Sequence, residues 1–273
     1  MVADSQRSAI YPPSWSQNIY PAGDWALAER ESPRKVMGRG TEILWADGES
    51  ILIVGDTGYG KSTMAQNIVK AAIGLQPDVL GMEVRQFERV LYVAADRPPQ
   101  IKASMARMMS EETREHWNTM VLVHEGPIGF YVNKNPEKLV SFATMPRDHW
   151  GGMAPQAIFI DSIKDLASAI NDDEEGMKYN TALQGVCAEG IQVLGTHHPR
   201  KVSNQRKPKE DEPTLDDVFG SKFITAGAGS VLMLHDRIDG SLRLTHLKAP
   251  AGIMEFPRIT FDARTGLCRM ALV

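Results

Sequence analysis

The chain has 273 residues, 42% hydrophobic and 23% charged, with a formal net charge of −4. That length suits one large α/β domain with a short extension, or two domains at most. The charge balance excludes a blanket basic surface for nucleic acid, though not a local basic patch. No run approaches the roughly 18 consecutive apolar residues of a membrane span, so no membrane role is expected. Cys187 and Cys268 lie far apart and form no C-x-x-C pair, which disfavours a disulfide framework or zinc site and fits a reducing, cytoplasmic setting. The N-terminus, Met-Val-Ala-Asp-Ser, lacks the apolar core of a signal peptide.

Residues 1–40 hold Pro12, Pro13, Pro21 and Pro33, scattered aromatics and no sustained period. They read as an irregular arm with one short helix near 24–30, either packed on its own domain or docked on a neighbouring subunit. Residues 41–273 read as the main domain. There, strand candidates at 51–54, 89–94, 120–124, 157–161 and 191–195 alternate with helix candidates at 61–74, 98–110, 135–144 and 174–188. Short apolar strands separated by helices predict an α/β fold with a mostly parallel sheet flanked by helices. After about 228 the alternation stops. Strands at 230–235, 242–247, 258–262 and 267–271 follow at hairpin spacing, with Asp239-Gly240 and Thr265-Gly266 as turns. The sheet should therefore end in antiparallel strands.

Between the first strand and first helix lies Gly55-Asp56-Thr57-Gly58-Tyr59-Gly60-Lys61-Ser62, a complete G-x-x-x-x-G-K-[ST] loop followed by Thr63. The strand–loop–helix context separates a phosphate-binding loop from a chance match. Its glycines let several N–H groups converge, and the helix N-terminus adds partial positive charge. Lys61 can reach the β- and γ-phosphates, and the Ser62 hydroxyl can ligate Mg²⁺. A nucleoside triphosphate site follows.

Further candidates lie downstream. Ile158-Phe159-Ile160 ends in Asp161, placed to hold a Mg²⁺-bound water beside Ser62 or to cap the next helix. The strand at 89–94 runs into Asp96, which either orients an attacking water or caps the helix that begins at Pro98-Pro99. The strand at 191–195 leads into Thr196-His197-His198-Pro199-Arg200-Lys201. A polar group there could sense the γ-phosphate. The adjacent histidines point opposite ways if the strand continues, so one faces the site, and His198 also reads as a solvated loop residue. Lys248, before a Pro-containing turn, reads on its own as a surface lysine.

Together these stretches resemble the RecA/DnaB superfamily of ring-forming ATPases. They are most similar to the RepA-type hexameric helicases and to AAA-family ATPases of that type from actinobacteria and their phages. The matching segments are Gly48-Glu49 leading into the loop, Leu91–Asp96, Ile158–Ser162, His197–Lys201, Phe219-Gly220-Ser221 and Lys248–Gly252, spanning roughly 45 to 252. The resemblance implies a RecA-like P-loop core, ATP and Mg²⁺ as cofactors, and nucleotide bound at interfaces of a homo-oligomer, a hexameric ring. It also implies a catalytic carboxylate at Asp96, a γ-phosphate sensor in 197–201 with His197 as the candidate, and Lys248 acting in trans. Two departures stand out: Asp96 replaces a usual Glu, and Pro250 stands where a Lys-x-Arg pair carries its Arg, which leaves Arg237 or Arg243 as substitutes.

Residues 199–209 are basic (Arg200, Lys201, Arg206, Lys207, Lys209) and 210–217 acidic. This composition reads either as a solvated loop or as one that tracks single-stranded DNA, and the resemblance favours the second. The leading expectation is a Mg²⁺-dependent ATPase acting on DNA in replication or recombination. The alternatives are a slow ATP-gated switch with a protein partner, and a small-molecule kinase, for which 200–209 is the one lid candidate.

Overall fold

Strand and helix alternate along the chain because each buried strand must be covered on both faces, and the result is a nine-stranded sheet. The computed structural model describes residues 19–27, 34–200 and 212–271. The chain divides into two compact units, Met1–Arg34 and Lys35–Val273. In the first, Ala22–Leu27 forms a short helix, α1.

The second unit begins with β1 (Lys35–Arg39) and β2 (Glu42–Ala46). They join β4 (Asp78–Val79) and β5 (Met82–Val84) in a small antiparallel sheet of order β2-β1-β5-β4. Its strands, some only two or three residues long, are too short for an alternating pattern to stand out in the sequence. The main sheet holds β3 (Ser50–Gly55), β6 (Val90–Ala94), β7 (Val121–Glu125), β8 (Ala157–Asp161), β9 (Gln192–His197), β10 (Ser230–Ile238), β11 (Ser241–Lys248), β12 (Ile259–Phe261) and β13 (Cys268–Met270). Its order is β13-β12-β11-β10-β3-β9-β8-β6-β7. From β10 to β7 neighbouring strands run parallel, and β10 to β13 pair antiparallel, as the hairpin spacing predicts.

Helices α2 (Lys61–Ala72), α3 (Pro98–Ala106), α4 (Glu111–Met120), α5 (Pro136–Thr144) and α6 (Asp173–Ala188) follow the strands, and α7 (Lys222–Ala226) precedes β10. The helix predicted over 98–110 stops at Ala106. Ser110 then opens α4 with a capping box to Thr113. Nothing periodic announces α4, because among its residues Trp117 alone is buried.

Period-two alternation divides the core between the two sheet faces. Ile51, Ile53 and Phe159 enter the cluster with Met64 and Ile68 of α2. Leu52, Val54, Ile158 and Ile160 enter the cluster with Leu183 and Val186 of α6. Phe159 stacks on Tyr92 at 6.3 Å and meets Trp45 edge-on at 6.2 Å. At the end of β9, His197 is fully buried and donates from Nε2 to Phe219 O at 2.8 Å.

Phe159→Ala should cost about 3–5 kcal/mol, since it removes a fully buried ring and its two aromatic partners. Urea denaturation checks this; a loss below 1 kcal/mol would contradict the packing. Burial also pushes the His197 pKa down from an ordinary 6.5 to about 4. The unfolded chain therefore takes up this proton first, so stability present above pH 6.5 is lost as pH falls toward 4, by about 3 kcal/mol. His246, buried against Ser230 and Met254, pulls the same way. His197→Gln, whose amide reaches the same carbonyl, should flatten part of this acid loss in denaturation series run from pH 7 to 4.5.

Candidate phosphate-binding site

The loop after β3 takes its shape from two glycines. Gly58 and Gly60 both adopt φ 83°, a left-handed backbone that a side chain strains. At Gly60 a Cβ would also lie 2.3 Å from the Phe261 ring. Gly60 then caps α2, accepting from Met64 N–H at 2.8 Å. Lys61 is 7% exposed and donates from Nζ to Asp56 O at 3.0 Å, within its own loop. Burial lowers its pKa, while Asp161, Asp56 and Asp96 oppose that shift.

Parallel pairing sets the ends of β3, β9, β8 and β6 side by side. Register places Val54 beside His197, Ile160 beside Gly195, and Ala94 beside Asp161. Thr57, Gly58, Gly60, Lys61, Ser62, Thr63, Asp96, Asp161 and His198 therefore line one cleft of about 310 Å³. Gly55, Asp56 and Tyr59 carry the loop into it.

Asp161 is 3% exposed and held on both oxygens. Tyr92 Oη donates to Oδ2 at 2.9 Å and Thr196 Oγ1 to Oδ1 at 2.6 Å. Its backbone carbonyl accepts from Ala95 N–H at 2.7 Å and Asp96 N–H at 3.0 Å. Asp96 is half-buried beside Arg97, whose Nε lies 3.8 Å from Oδ1. Ser62 and the buried Asp161 suit a hard cation through one hydroxyl and one carboxylate. Among the described residues no cluster of three His, Cys, Asp or Glu side chains could hold a metal, so such an ion would draw its remaining ligands from phosphate and water.

The two histidines separate as strand alternation demands. Thr196 turns to Asp161, and His198, just past the end of β9, lines the cleft. His197 turns away to Phe219 and lines none of it. His198 Nε2 is buried without a hydrogen-bond partner, and burial, then nearby Lys61, lowers its pKa. Both influences favour the neutral ring.

Sequence reasoning missed Arg97, Gln100, Ser104 and Arg107 along the same cleft. They come from α3 and its flanks, whose signal was two prolines and an apolar face. A second cavity, of about 170 Å³, opens beside the first. It shares Gly58, Gly60, Thr63 and Arg107, and adds Arg237, Leu242, Phe261 and Asp262.

Other candidates lie elsewhere. Lys248 donates to Thr225 O at 3.1 Å and Ala226 O at 2.7 Å, and lines separate cavities with Glu49 and with Arg200. It pairs with Val231, itself beside Leu52, three residues before Gly55, so about 10 Å of strand rise separates it from the loop end. Arg237 lines the smaller cavity, and Arg243 is ion-paired to Glu212 at 2.7 Å and to Asp236; neither shares a cavity with Lys248. Arg200 donates to Gly220 O at 3.0 Å. Lys201, Arg206, Lys207 and Lys209 lie outside the described residues. Among the described residues no helix is long and apolar enough to cross a membrane.

Comparison with known proteins fits this geometry. The family model described as an AAA domain matches residues 20–204. No curated protein sequence matches the chain. Among solved structures, the ATPase domain of G40P superposes with TM-score 0.56 at 12% identity, over 83% of this chain and 86% of that one. A KaiC-like protein from the hyperthermophilic archaeon Pyrococcus horikoshii OT3 gives TM-score 0.54 at 16% identity, over 89% of this chain and 100% of that one. At such identities the likeness fixes the fold, and the matched family adds the chemistry: the chain belongs to the AAA domain family and is an ATP-hydrolysing P-loop NTPase.

Proposed function

We propose that the protein is a Mg²⁺-dependent ATPase that acts on single-stranded DNA as a homo-oligomeric ring, hydrolysing ATP at its subunit interfaces. The observation that carries the ATPase chemistry is the row of strand ends in one cleft: Lys61 and Ser62, then His198, Asp161 and Asp96. The loop amides and Lys61 grip the β- and γ-phosphates and offset charge as it develops in transfer. Ser62 and Asp161 would hold Mg²⁺, which when bound neutralises phosphate oxygens. Asp96 orients the attacking water, and His198, not His197, meets the γ-phosphate. The smaller cavity takes the base, between the Phe261 ring and the Arg107 side.

The interface role rests on Lys248. It lies two strands from β3 and about 10 Å of strand rise short of its own loop end, bonded to Thr225 O and Ala226 O, a position that favours service to a neighbour's nucleotide. The DNA role rests on Arg200 and the basic residues after it, with support from the resemblance. A slower, switch-like ATPase is the second reading. It is favoured by Asp96, one methylene shorter than Glu, and by Arg237 and Arg243 lying away from Lys248. Turnover with and without single-stranded DNA separates the two, since strong stimulation belongs to the motor and none to the switch.

Lys61→Ala should abolish hydrolysis, and turnover near the wild-type rate would overturn the site assignment. Asp161→Asn should raise the Mg²⁺ concentration needed for half-maximal activity and weaken Mn²⁺ binding measured by paramagnetic resonance in the presence of ATP. Lys248→Ala should lower turnover only in the assembled state. Mixing it with Asp96→Asn subunits should restore part of the activity; no rescue at any ratio would remove the role in trans.

A further inference from the structure

Asn67 lies on the phosphate-loop helix α2 with its side chain fully buried. Its amide makes three hydrogen bonds, two from Nδ2 and one to Oδ1. Nδ2 donates to Thr63 O at 2.7 Å, one turn back on the same helix, and to Gly266 O at 2.9 Å. Oδ1 accepts from Cys268 N–H at 3.0 Å. Gly266 and Cys268 belong to the turn and strand that follow Phe261 and Asp262. One side chain therefore fastens the helix that carries Lys61 and Ser62 to the β12–β13 hairpin.

That hairpin has little else in the backbone to fix it. β12 joins the body of the sheet through a single register pair, Leu242 with Ile259. The hairpin itself is stiff: Asp262 N–H donates to Leu267 O at 2.9 Å, Gly266 N–H to Asp262 O at 2.8 Å, and Asp262 Oδ1 accepts from Thr265 N–H at 2.7 Å. The hairpin is held at its base, where Arg258 bonds Ser241 Oγ and Asp236 Oδ2 and Ile259 is fully buried, and at its far end by Asn67. What it carries is one wall of the smaller cavity, with the Phe261 ring pressed against Gly60.

We propose that Asn67 is a positioning residue for the nucleobase. It holds Phe261 and Asp262 at a fixed height over the phosphate loop, and so tunes how tightly the base, rather than the triphosphate, is bound. This role rests on reading the smaller cavity as the base pocket.

The test compares Mg·ATP with Mg·tripolyphosphate, which has the phosphates and no base. Calorimetric affinities are measured on the full chain for wild type, Asn67→Ser, Phe261→Leu and the double variant. Asn67→Ser should weaken ATP binding about tenfold, as expected for lost buried hydrogen bonds, and leave tripolyphosphate affinity unchanged. Phe261→Leu should show the same pattern, and the double variant should lose less than the product of the two, because both act on one wall. Equal losses for both ligands in Asn67→Ser, or strict multiplication in the double variant, overturn the proposal. A wild-type protein that binds ATP no tighter than tripolyphosphate removes the base pocket and this role with it; one that binds neither removes the nucleotide site. Hydrogen exchange on the wild type needs no variant. ATP should slow amides 262–268 while tripolyphosphate slows only 55–62, and identical protection of 262–268 by both ligands also overturns the role.

Discussion

A single buried ammonium group organises the site. Lys61 sits 7% exposed among Asp56, Asp96 and Asp161, and burial works against its charge while those carboxylates sustain it. A cation so placed has one hydrogen bond to the protein, to Asp56 O within its own loop. It is a donor short of acceptors, which a polyphosphate supplies. The fold around it serves to keep that charge dry and aimed. Gly60 closes the loop, α2 adds its N-terminal N–H groups, and apolar β3 isolates the loop from the rest of the interior.

The carboxylates around Lys61 are not equivalent. Asp161 is locked on both oxygens by the neutral hydroxyls of Tyr92 and Thr196, which fix its direction without cancelling its charge. Asp96 is half-buried beside the exposed Arg97 and keeps a wet side. One position is thus built to hold still and the other to face solvent, a division that suits a cation ligand and a water-orienting group respectively.

Much of this was legible in the sequence because it rests on local chemistry. The 55–62 loop announces itself through glycine spacing, and β3, β6, β8 and β9 through continuous apolar runs that only a strand covered on both faces tolerates. The late hairpins show through Asp239-Gly240 and Thr265-Gly266. Elements whose stability comes from tertiary contacts were not legible. Helix α4 buries only Trp117 along its length, and the β4–β5 strands are too short to carry a period. The side of β9 that faces the cleft could be narrowed to one histidine of two by alternation, but choosing His198 required knowing that Thr196 points at Asp161. Arg107 and Phe261 lie 154 residues apart (261 − 107), and nothing local links them to the loop. They meet because α2 packs between α3 and the C-terminal hairpin.

Asp161 ties three strands together. Its side chain binds Tyr92 and Thr196, and its backbone carbonyl takes the N–H groups of Ala95 and Asp96. β6, β8 and β9 are therefore pinned to one residue at the rim where the phosphates would lie. Asp96 cannot approach the cleft by sliding its backbone without breaking bonds to Asp161. The shorter reach of Asp compared with Glu is consequently not recovered by a backbone shift, and any compensation must come from a bridging water or from the ligand moving toward β6. That constraint makes the spacing of the Asp161 and Asp96 backbones a property of the scaffold, set by strand pairing and by the two N–H bonds to the Asp161 carbonyl.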